Sequence, residues 1–292
     1  MKKSFIVTIQ PPVLSLVIAV YKNISALNLI LQSLDNQSFT EFEVIVAEDN
    51  DDPKMAAFVE QANSHYWFPI QHISQPDNGF QKDKALNKAV AAATTDYIVF
   101  IDGDCILHKH FLKQHYQNRV EGLVLYGRRV MLSERLTNRL NILNPDRSGT
   151  EGGNYPQLSK SFKLLESYFS LFNLLITNCK RIDCALYLPF LPSKIHPQPS
   201  IWGCNWSIHK KDIIAVNGFD EDYVKPGCGE DTDIEWRLLK MGIRLKKIKL
   251  KALQYHLHHA ENYADTVENE GIMKKKQADG IVFCKLGINQ YL

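Results

Sequence analysis

Tyr97-Ile98-Val99-Phe100-Ile101-Asp102-Gly103-Asp104 decides the fold. An uninterrupted run of β-branched and aromatic residues reads as a buried strand. The two aspartates follow at its C-terminal end, the edge where open α/β sheets bind ligands. Carboxylates on either side of a glycine suit a hard divalent cation that phosphate oxygens also hold, which points to a diphosphate-bearing substrate. Taken alone, the tripeptide is also an ordinary surface turn.

Upstream, the chain alternates strand-like and helix-like segments. Val13 to Val20 is an apolar strand, Ile24 to Leu34 has Leu27, Leu31 and Leu34 on one helical face, and Glu43 to Ala47 is a second strand. Pro53 to Asn63 reads as a helix opened by proline, Ile70 to Ile73 as a short strand and Lys82 to Ala93 as an alanine-rich helix. This βαβ rhythm predicts a parallel sheet covered on both faces, with the strand C-termini on one edge. Downstream, Gly122 to Met131 reads as one more strand and the polar stretch 133–160 as a long loop. Phe162 to Ile176 reads as an apolar helix, either a core element or a surface meeting lipid or an apolar acceptor. Pro189 to Pro199 cannot be a regular helix, Trp202 to Tyr255 forms a second compact block, and a charged helical tail follows.

The 292 residues, 45% hydrophobic and 23% charged, suffice for a full core. A net charge of +2 gives no broad field for nucleic acid. Cys105, Cys179, Cys184, Cys204, Cys228 and Cys284 show neither a Cys-x-x-Cys pair nor zinc-ligand spacing, so reduced thiols in a cytoplasmic protein are expected. Gln10-Pro11-Pro12 interrupts the opening apolar stretch before a secretory core forms, and no stretch reaches the length of a membrane span.

Four further clusters bear chemistry. Glu48-Asp49-Asn50-Asp51-Asp52 ends the second strand; such a knot either binds a nucleobase or ribose through carboxylate acceptors or caps the following helix. Asp77-Asn78-Gly79, followed by Lys82, Lys84 and Asn87, feeds a helix start that suits phosphate. Gly227-Cys228-Gly229-Glu230-Asp231-Thr232-Asp233-Ile234-Glu235 places four acids in and after the first turn of a helix whose Ile234, Leu238 and Met241 face the core. Helix capping accounts for one or two of these acids, and a carboxylate near an acceptor hydroxyl can serve as general base. Tyr255-His256-Leu257-His258-His259 ends a strand with imidazoles that are either structural or metal ligands.

In this order the residues resemble family-2 glycosyltransferases, nucleotide-sugar enzymes of GT-A fold. Val17-Ile18-Ala19-Val20-Tyr21-Lys22 is similar to their opening strand and turn, Glu48-Asp49-Asn50 to their uridine-binding acids and Asp102-Gly103-Asp104 to their DxD metal motif. Gly203-Cys204-Asn205-Trp206-Ser207, Asn217-Gly218-Phe219-Asp220-Glu221 and Gly229-Glu230-Asp231 resemble the acceptor half of members with a galactosyltransferase-like C-terminal segment. The similarity runs over residues 13–260.

The resemblance implies an α/β fold of GT-A type, an open, mostly parallel central sheet with helices on both faces. It implies one catalytic domain over 1–292, with a nucleotide-sugar half at 13–130, an acceptor half at 131–260 and a helical tail at 261–292. The activity implied is inverting, metal-dependent transfer from a nucleoside diphosphate sugar, expected to be a UDP-sugar, to a hydroxyl. The acceptor implied is a glycan or lipid-linked molecule of surface polysaccharide biosynthesis, handled in the cytoplasm or at the inner face of the membrane. By position, Val20 and Tyr21 line the nucleoside pocket, Asp49 binds uracil, and Asn78, Lys84 and Gly103 lie near the nucleotide. Asp104 binds Mn²⁺ or Mg²⁺ with Asp102 beside it, and His259 or His256 completes the site. Asp231 is the implied base, and Glu230 holds acceptor or sugar hydroxyls.

The chain departs from the pattern in places. Glu48-Asp49 stands where two aspartates are common, and Lys84-Ala85-Leu86-Asn87 replaces an arginine-bearing helix. Two rival readings are a non-catalytic carbohydrate-binding protein of the same fold and a sugar-nucleotide pyrophosphorylase. The latter needs a glycine-rich, arginine-bearing loop that Val20-Tyr21-Lys22-Asn23 does not supply. No Gly-x-Gly-x-x-Gly follows a strand, against a dinucleotide oxidoreductase.

Overall fold

Apolar strands alternating with one-sided helices assemble here into a sheet buried on both faces. The computed structural model describes residues 11–143, 169–193, 201–260 and 266–292. The first half runs β1 (Leu14–Val20), α1 (Ile24–Asp35), β2 (Phe42–Glu48), α2 (Pro53–His65), β3 (Ile70–Ile73), α3 (Lys82–Ala92) and β4 (Tyr97–Asp102). The second continues with β5 (Cys105–Leu107), α4 (Phe111–Asn118), β6 (Leu123–Tyr126), β7 (Val130–Met131), α5 (Glu134–Leu143) and α6 (Leu171–Ile176). It ends with β8 (Trp206–His209), α7 (Lys210–Ala215), α8 (Glu230–Lys240), β9 (Arg244–Lys247), β10 (Gln254–His256) and α9 (Val267–Ala278).

The main sheet has the order β3-β2-β1-β4-β8-β6-β9. Its pairs are parallel except where β8 lies antiparallel between β4 and β6. Successive strands step from β1 out to β3, and α3 then carries the chain back to place β4 on the other side of β1. That reversal is a topological switch point, and it opens a crevice at the C-terminal ends of β1 and β4.

Strand periodicity explains the two cores. Leu14, Leu16, Ile18 and Val20 of β1 pack into the cluster covered by α1, α2 and α4, while Val17 packs into the one covered by α3 and α8. In α1, Leu27, Ile30, Leu31 and Leu34 share one helical face and are fully buried, each contributing roughly 1.5–3 kcal/mol. Asn23 starts this helix by accepting a hydrogen bond from the Ala26 N–H.

A second, three-stranded sheet, β5-β10-β7, branches off just past β4. Cys105 pairs with His256 across β5 and β10, and Leu257 donates its N–H to the carbonyl of Asp104. The ladder thereby delivers the histidine segment to the aspartate motif.

Several expectations for the middle of the chain are corrected. The strand expected over Gly122 to Met131 divides into β6 and β7. Gly127 lies between them, where a Cβ would stand 2.3 Å from the Asn205 amide, so a side chain has no room there. The loop expected over 133–160 begins instead with α5, whose Leu136 and Leu140 are buried one helical turn apart; residues 144–160 lie outside the described residues. Of the helix expected over Phe162 to Ile176, residues 162–168 lie outside the described residues. The described remainder is the short α6, where Leu174 is buried and Leu171, Phe172, Leu175 and Ile176 are exposed. Residues 194–199 of the proline-rich segment also lie outside the described residues. Met241 caps α8 from outside and is exposed rather than in the core.

Candidate active site

The crevice at the switch point holds a cavity of about 460 Å³ lined by Ala19, Val20, Tyr21, Asn23, Ala47, Asp49, Gly79, Phe80, Lys82, Ala85, Asp102, Gly103 and Asp104. Its size suits a small-molecule ligand. Asp102 sits opposite Ala19 in the β1–β4 register, and Gly103 allows the chains to close up, because a Cβ there would lie 2.7 Å from the Ala19 carbonyl oxygen. Asp49 forms part of the wall, with its carboxylate accepting from Gln75 Nε2 at 2.7 Å and from the Gln81 N–H at 2.7 Å. Tyr21 and Lys22 meet Asp77 at the exposed rim. The other acids of the knot are committed elsewhere: Glu48 pairs with His72, Asp51 accepts from Ser74, and Asp52 caps α2.

Lys82, at the first position of α3, is the cation of this cavity. Its Nζ lies 2.9 Å from Asp102 Oδ1 and 3.0 Å from Glu230 Oε1, the latter 148 positions along the chain from Lys82. Burial alone would lower its pKa, yet these carboxylates hold the ammonium well above its ordinary value. Lys84 and Asn78 are absent from the cavity wall. Two residues along a helix turn a side chain by about 200°, so Lys84 leaves the side Lys82 occupies.

Asp104, His256 and His259 form a second cluster. Both histidine Nε2 atoms lie 3.1 Å from Asp104 Oδ2, and they are 3.3 Å from each other. Burial opposes ionisation of Asp104, but the hydrogen bonds from His256 and His259 bring its pKa well below the ordinary carboxylate range. The hydrogen bond to Asp104 raises His259 to about 9. His259 Nδ1 lies 2.9 Å from the Ala260 carbonyl; donation there leaves Nε2, the nitrogen that faces Asp104, as the one that could coordinate an ion. The three ligand atoms lie within 4.8 Å of one another and offer one carboxylate and two imidazoles, a donor set that fits a transition-metal ion such as Mn²⁺.

Asp102 and Asp104 also wall a larger cavity of about 1140 Å³ that extends past Arg129, Lys180, Arg181 and Trp202. Antiparallel pairing of Trp206 with Phe100 brings Gly203 over the end of β4, against the start of α8. The Gly203 N–H donates to Asp231 Oδ2 at 3.0 Å. A Cβ at Gly203 would stand 3.5 Å from Lys82 Nζ, 3.7 Å from Glu230 Oε1 and 3.9 Å from Asp231 Oδ2, so these groups surround one small space. Burial raises the pKa of both acids, with the nearby negative charges adding to it, and Lys82 acts in the opposite direction.

The remaining acids of α8 are structural. Asp233 pairs with Arg237 at 2.6 Å inside the core, and Arg237 Nη1 also donates to the carbonyls of Val216 and Gly218. Glu235 accepts from the Ile201 N–H. Gly229, at φ 104°, opens the helix where a Cβ would collide with the Tyr223 ring at 2.1 Å.

Arg129 is named by no motif, while Lys82 and Gly203 stand within motifs that gave neither of them a role of its own. Lys82 was legible as a cation at a helix start. Only the fold shows that Gly203 faces Asp231.

Fold and site together define an α/β protein whose two acidic clusters meet at the switch point of a mostly parallel sheet. The family model described as glycosyl transferase family 2 matches residues 15–172, and one described as the N-terminal domain of galactosyltransferase matches residues 192–260. The chain belongs to glycosyl transferase family 2. No curated protein matches it significantly. Among solved structures it shares its fold with the mannosyltransferase PcManGT from Pyrobaculum calidifontis in complex with GDP-Man and Mn²⁺ (TM-score 0.54, 13% identity, 92% of this chain and 62% of that one). It is similarly related to S. aureus TarS 1-349 in complex with UDP-GlcNAc (0.55, 17%, 95% and 69%) and to GalNAc-T7 with UDP, GalNAc and Mn²⁺ (0.58, 11%, 87% and 45%). The fold is that of GT-A glycosyltransferases. No described helix is long and apolar enough to cross a membrane.

Proposed function

We propose that the chain transfers a sugar, with inversion, from a nucleoside diphosphate sugar to an acceptor hydroxyl of a glycan or lipid-linked molecule, in surface polysaccharide synthesis. The observation that carries this reading is the Lys82 bridge, which ties Asp102 at the cation cluster to Glu230 beside Asp231. It draws donor-side and acceptor-side acids into one crevice. The apolar cavity under Val20 and Tyr21 takes the nucleoside, with Asp49 at its wall to accept from a uracil N–H through its remaining lone pairs. A UDP-sugar is therefore the favoured donor.

Asp104, His256 and His259 would hold the cation, and two imidazoles favour Mn²⁺ over Mg²⁺. When bound, the ion offsets the charge that develops on the departing diphosphate. Asp231 takes the proton of the acceptor hydroxyl as that oxygen attacks the anomeric carbon opposite the leaving group. The Gly203 N–H orients its carboxylate, and its raised pKa improves it as a base. Glu230 positions sugar hydroxyls, with Lys82 fixing its carboxylate.

The exposed Leu171, Phe172, Leu175 and Ile176 support peripheral contact with a membrane that presents such acceptors, which co-sedimentation with liposomes checks.

Thermal unfolding measured with UDP-sugars and GDP-sugars, with and without Mn²⁺, tests donor and ion. Asp231→Asn is expected to lower transfer on the order of 10²–10⁴-fold while the donor still raises the melting temperature. A variant that transfers at the parental rate removes Asp231 as base. A wild-type chain that binds donor but turns nothing over favours the non-catalytic carbohydrate-binding reading.

A further inference from the structure

The larger cavity continues beyond the acid cluster into a wall of opposite sign. Arg129, Lys180 and Arg181 line it together with Trp202. The Arg128 and Arg181 guanidinium carbons each lie 4.4 Å from the Trp202 ring centre, and that of Arg129 lies 5.9 Å from it. Of the cations lining the cavity, Arg129 and Arg181 share this indole, and cation–π attraction offsets only part of the repulsion between them.

Among the described residues, the carboxylates lining this cavity do not balance Arg129, Lys180 and Arg181. Asp102 is already shared by Lys82 and Arg129, and Asp104 by the two histidines. Glu134, exposed at the start of α5, is the remaining lining carboxylate, against Lys180 and Arg181. Among the described residues neither of these two cations has a carboxylate partner. The Nε of Arg129 is buried with no hydrogen-bond partner among them.

Their placement is built into the fold. Lys180 and Met131 exchange both backbone hydrogen bonds, at 2.9 and 3.0 Å, and Met131 in turn pairs with His256 of β10. Lys180 therefore sits two strand spacings from a cation ligand, roughly 10 Å at about 4.8 Å per strand. Arg181 follows in the left-handed region at φ 56° and is exposed. Trp202 immediately precedes Gly203, whose N–H holds Asp231. The cationic wall thus lines the same cavity as Asp102, Asp104, His256 and His259, and its Trp202 adjoins the residue that holds Asp231.

We infer that this wall is an anion subsite for the acceptor, and that the acceptor carries a phosphate or diphosphate close to the sugar that is extended. The inference rests on the glycosyltransferase reading for its placement next to Asp231, and it names the substrate class of that site. Planar guanidinium groups with a nearby ammonium match phosphoryl oxygens, and they recover in the complex what their mutual repulsion costs without it. A lipid-linked diphosphate saccharide and a water-soluble saccharide joined through phosphodiesters share this chemistry.

The test is direct binding to the full chain, with and without Mn²⁺ and UDP, by calorimetry. The probes are N-acetylglucosamine linked to decyl diphosphate, the same sugar as a neutral decyl glycoside, and a lipid-free phosphodiester-linked saccharide oligomer. Either anionic probe is expected to bind about tenfold or more tightly than the glycoside, with affinity falling as ionic strength rises. The decyl diphosphate leading assigns a lipid-linked source, and the oligomer leading assigns a polymer; both support the subsite. Lys180→Gln combined with Arg181→Gln is expected to erase the preference while the melting-temperature rise caused by Mn²⁺ and UDP stays at the wild-type value. A glycoside bound as tightly as both anions overturns the inference, as does a double variant that keeps the preference. If Mn²⁺ and UDP fail to stabilise the wild type, the donor reading falls instead, and the anion comparison is decided on the nucleotide-free chain.

Discussion

Up to β4, carboxylates are placed by strand register; from Trp202 onward, they are placed by buried side chains bonded to main chain. Asp102 is where it is because β1 and β4 pair along their length, and the Asp49 segment follows from the adjacent β1–β2 ladder. Glu230 and Asp231 have no ladder beneath them. The turn that leads to them is held by Asn87, whose amide bonds both the N–H and the carbonyl of Phe219, and by Arg237, which takes the carbonyls of Val216 and Gly218. Asn205 similarly bonds the carbonyls of Arg128 and Ala252. Register is repeated in every residue of a strand and survives single changes. A buried polar network rests on few groups, each with a desolvation cost if its partner goes.

The sharpest way to break this contrast is Arg237→Ala. It leaves the Asp233 carboxylate buried without its cation, and an expected loss of about 3–5 kcal/mol in denaturant unfolding follows. A loss below about 1 kcal/mol shows that the network is not what holds this half.

Next in size is Gly203→Leu, which fills the space among Lys82, Glu230 and Asp231 from a residue outside the lining of the β1–β4 crevice. Turnover is expected to fall on the order of 10²-fold by displacing the acceptor, with donor-induced stabilisation retained. Loss of both together makes the two halves one binding unit.

The smallest effect concerns Glu235, which holds the Ile201 N–H just ahead of Trp202. Burial raises its pKa from 4.5 to about 7. The unfolded chain releases this proton first as pH rises, so stability is full below pH 4.5, declines through the interval to 7 and is flat above. Glu235→Gln removes that decline, on the order of 1–2 kcal/mol after allowing for solvent screening of a partly accessible group. Urea midpoints at pH 5 and 7.5 compare the two proteins, and equal pH sensitivity rejects the assignment.

Legibility in the sequence follows the same division. The elements of the first half are readable almost to the residue, because β1, β2 and β4 are buried on both faces and are apolar but for Ser15, Glu43, Glu48 and the terminal Asp102. Helix α5 is missed by composition, since two buried leucines suffice to dock a short polar helix. The acids around Asp231 are visible as a cluster, but their division of labour is not. Four carboxylates within six residues turn in different directions around α8, and whether one meets Lys82, Gly203, Arg237 or Ile201 depends on segments far away in the chain. The histidines are in the same position: the β5–β10 pairing, which no local pattern announces, brings both to Asp104.

The segment from α9 to Ile288 fastens the turn ahead of α8. Lys276 grips Asp220 and Asp222, Asn269 bonds the carbonyls of Lys225 and Cys228, and Ile288 joins both the core and the Asn217 carbonyl. Translation gives that arrangement a timetable. The ladders of β1 to β4 are free to pair while ribosomes are still decoding the region beyond residue 260, whereas the contacts that Asn269, Lys276 and Ile288 make with the turn ahead of Glu230 and Asp231 can form only once those residues have emerged. A nascent chain can therefore shape the crevice between β1 and β4 before the acids across from it are tied down.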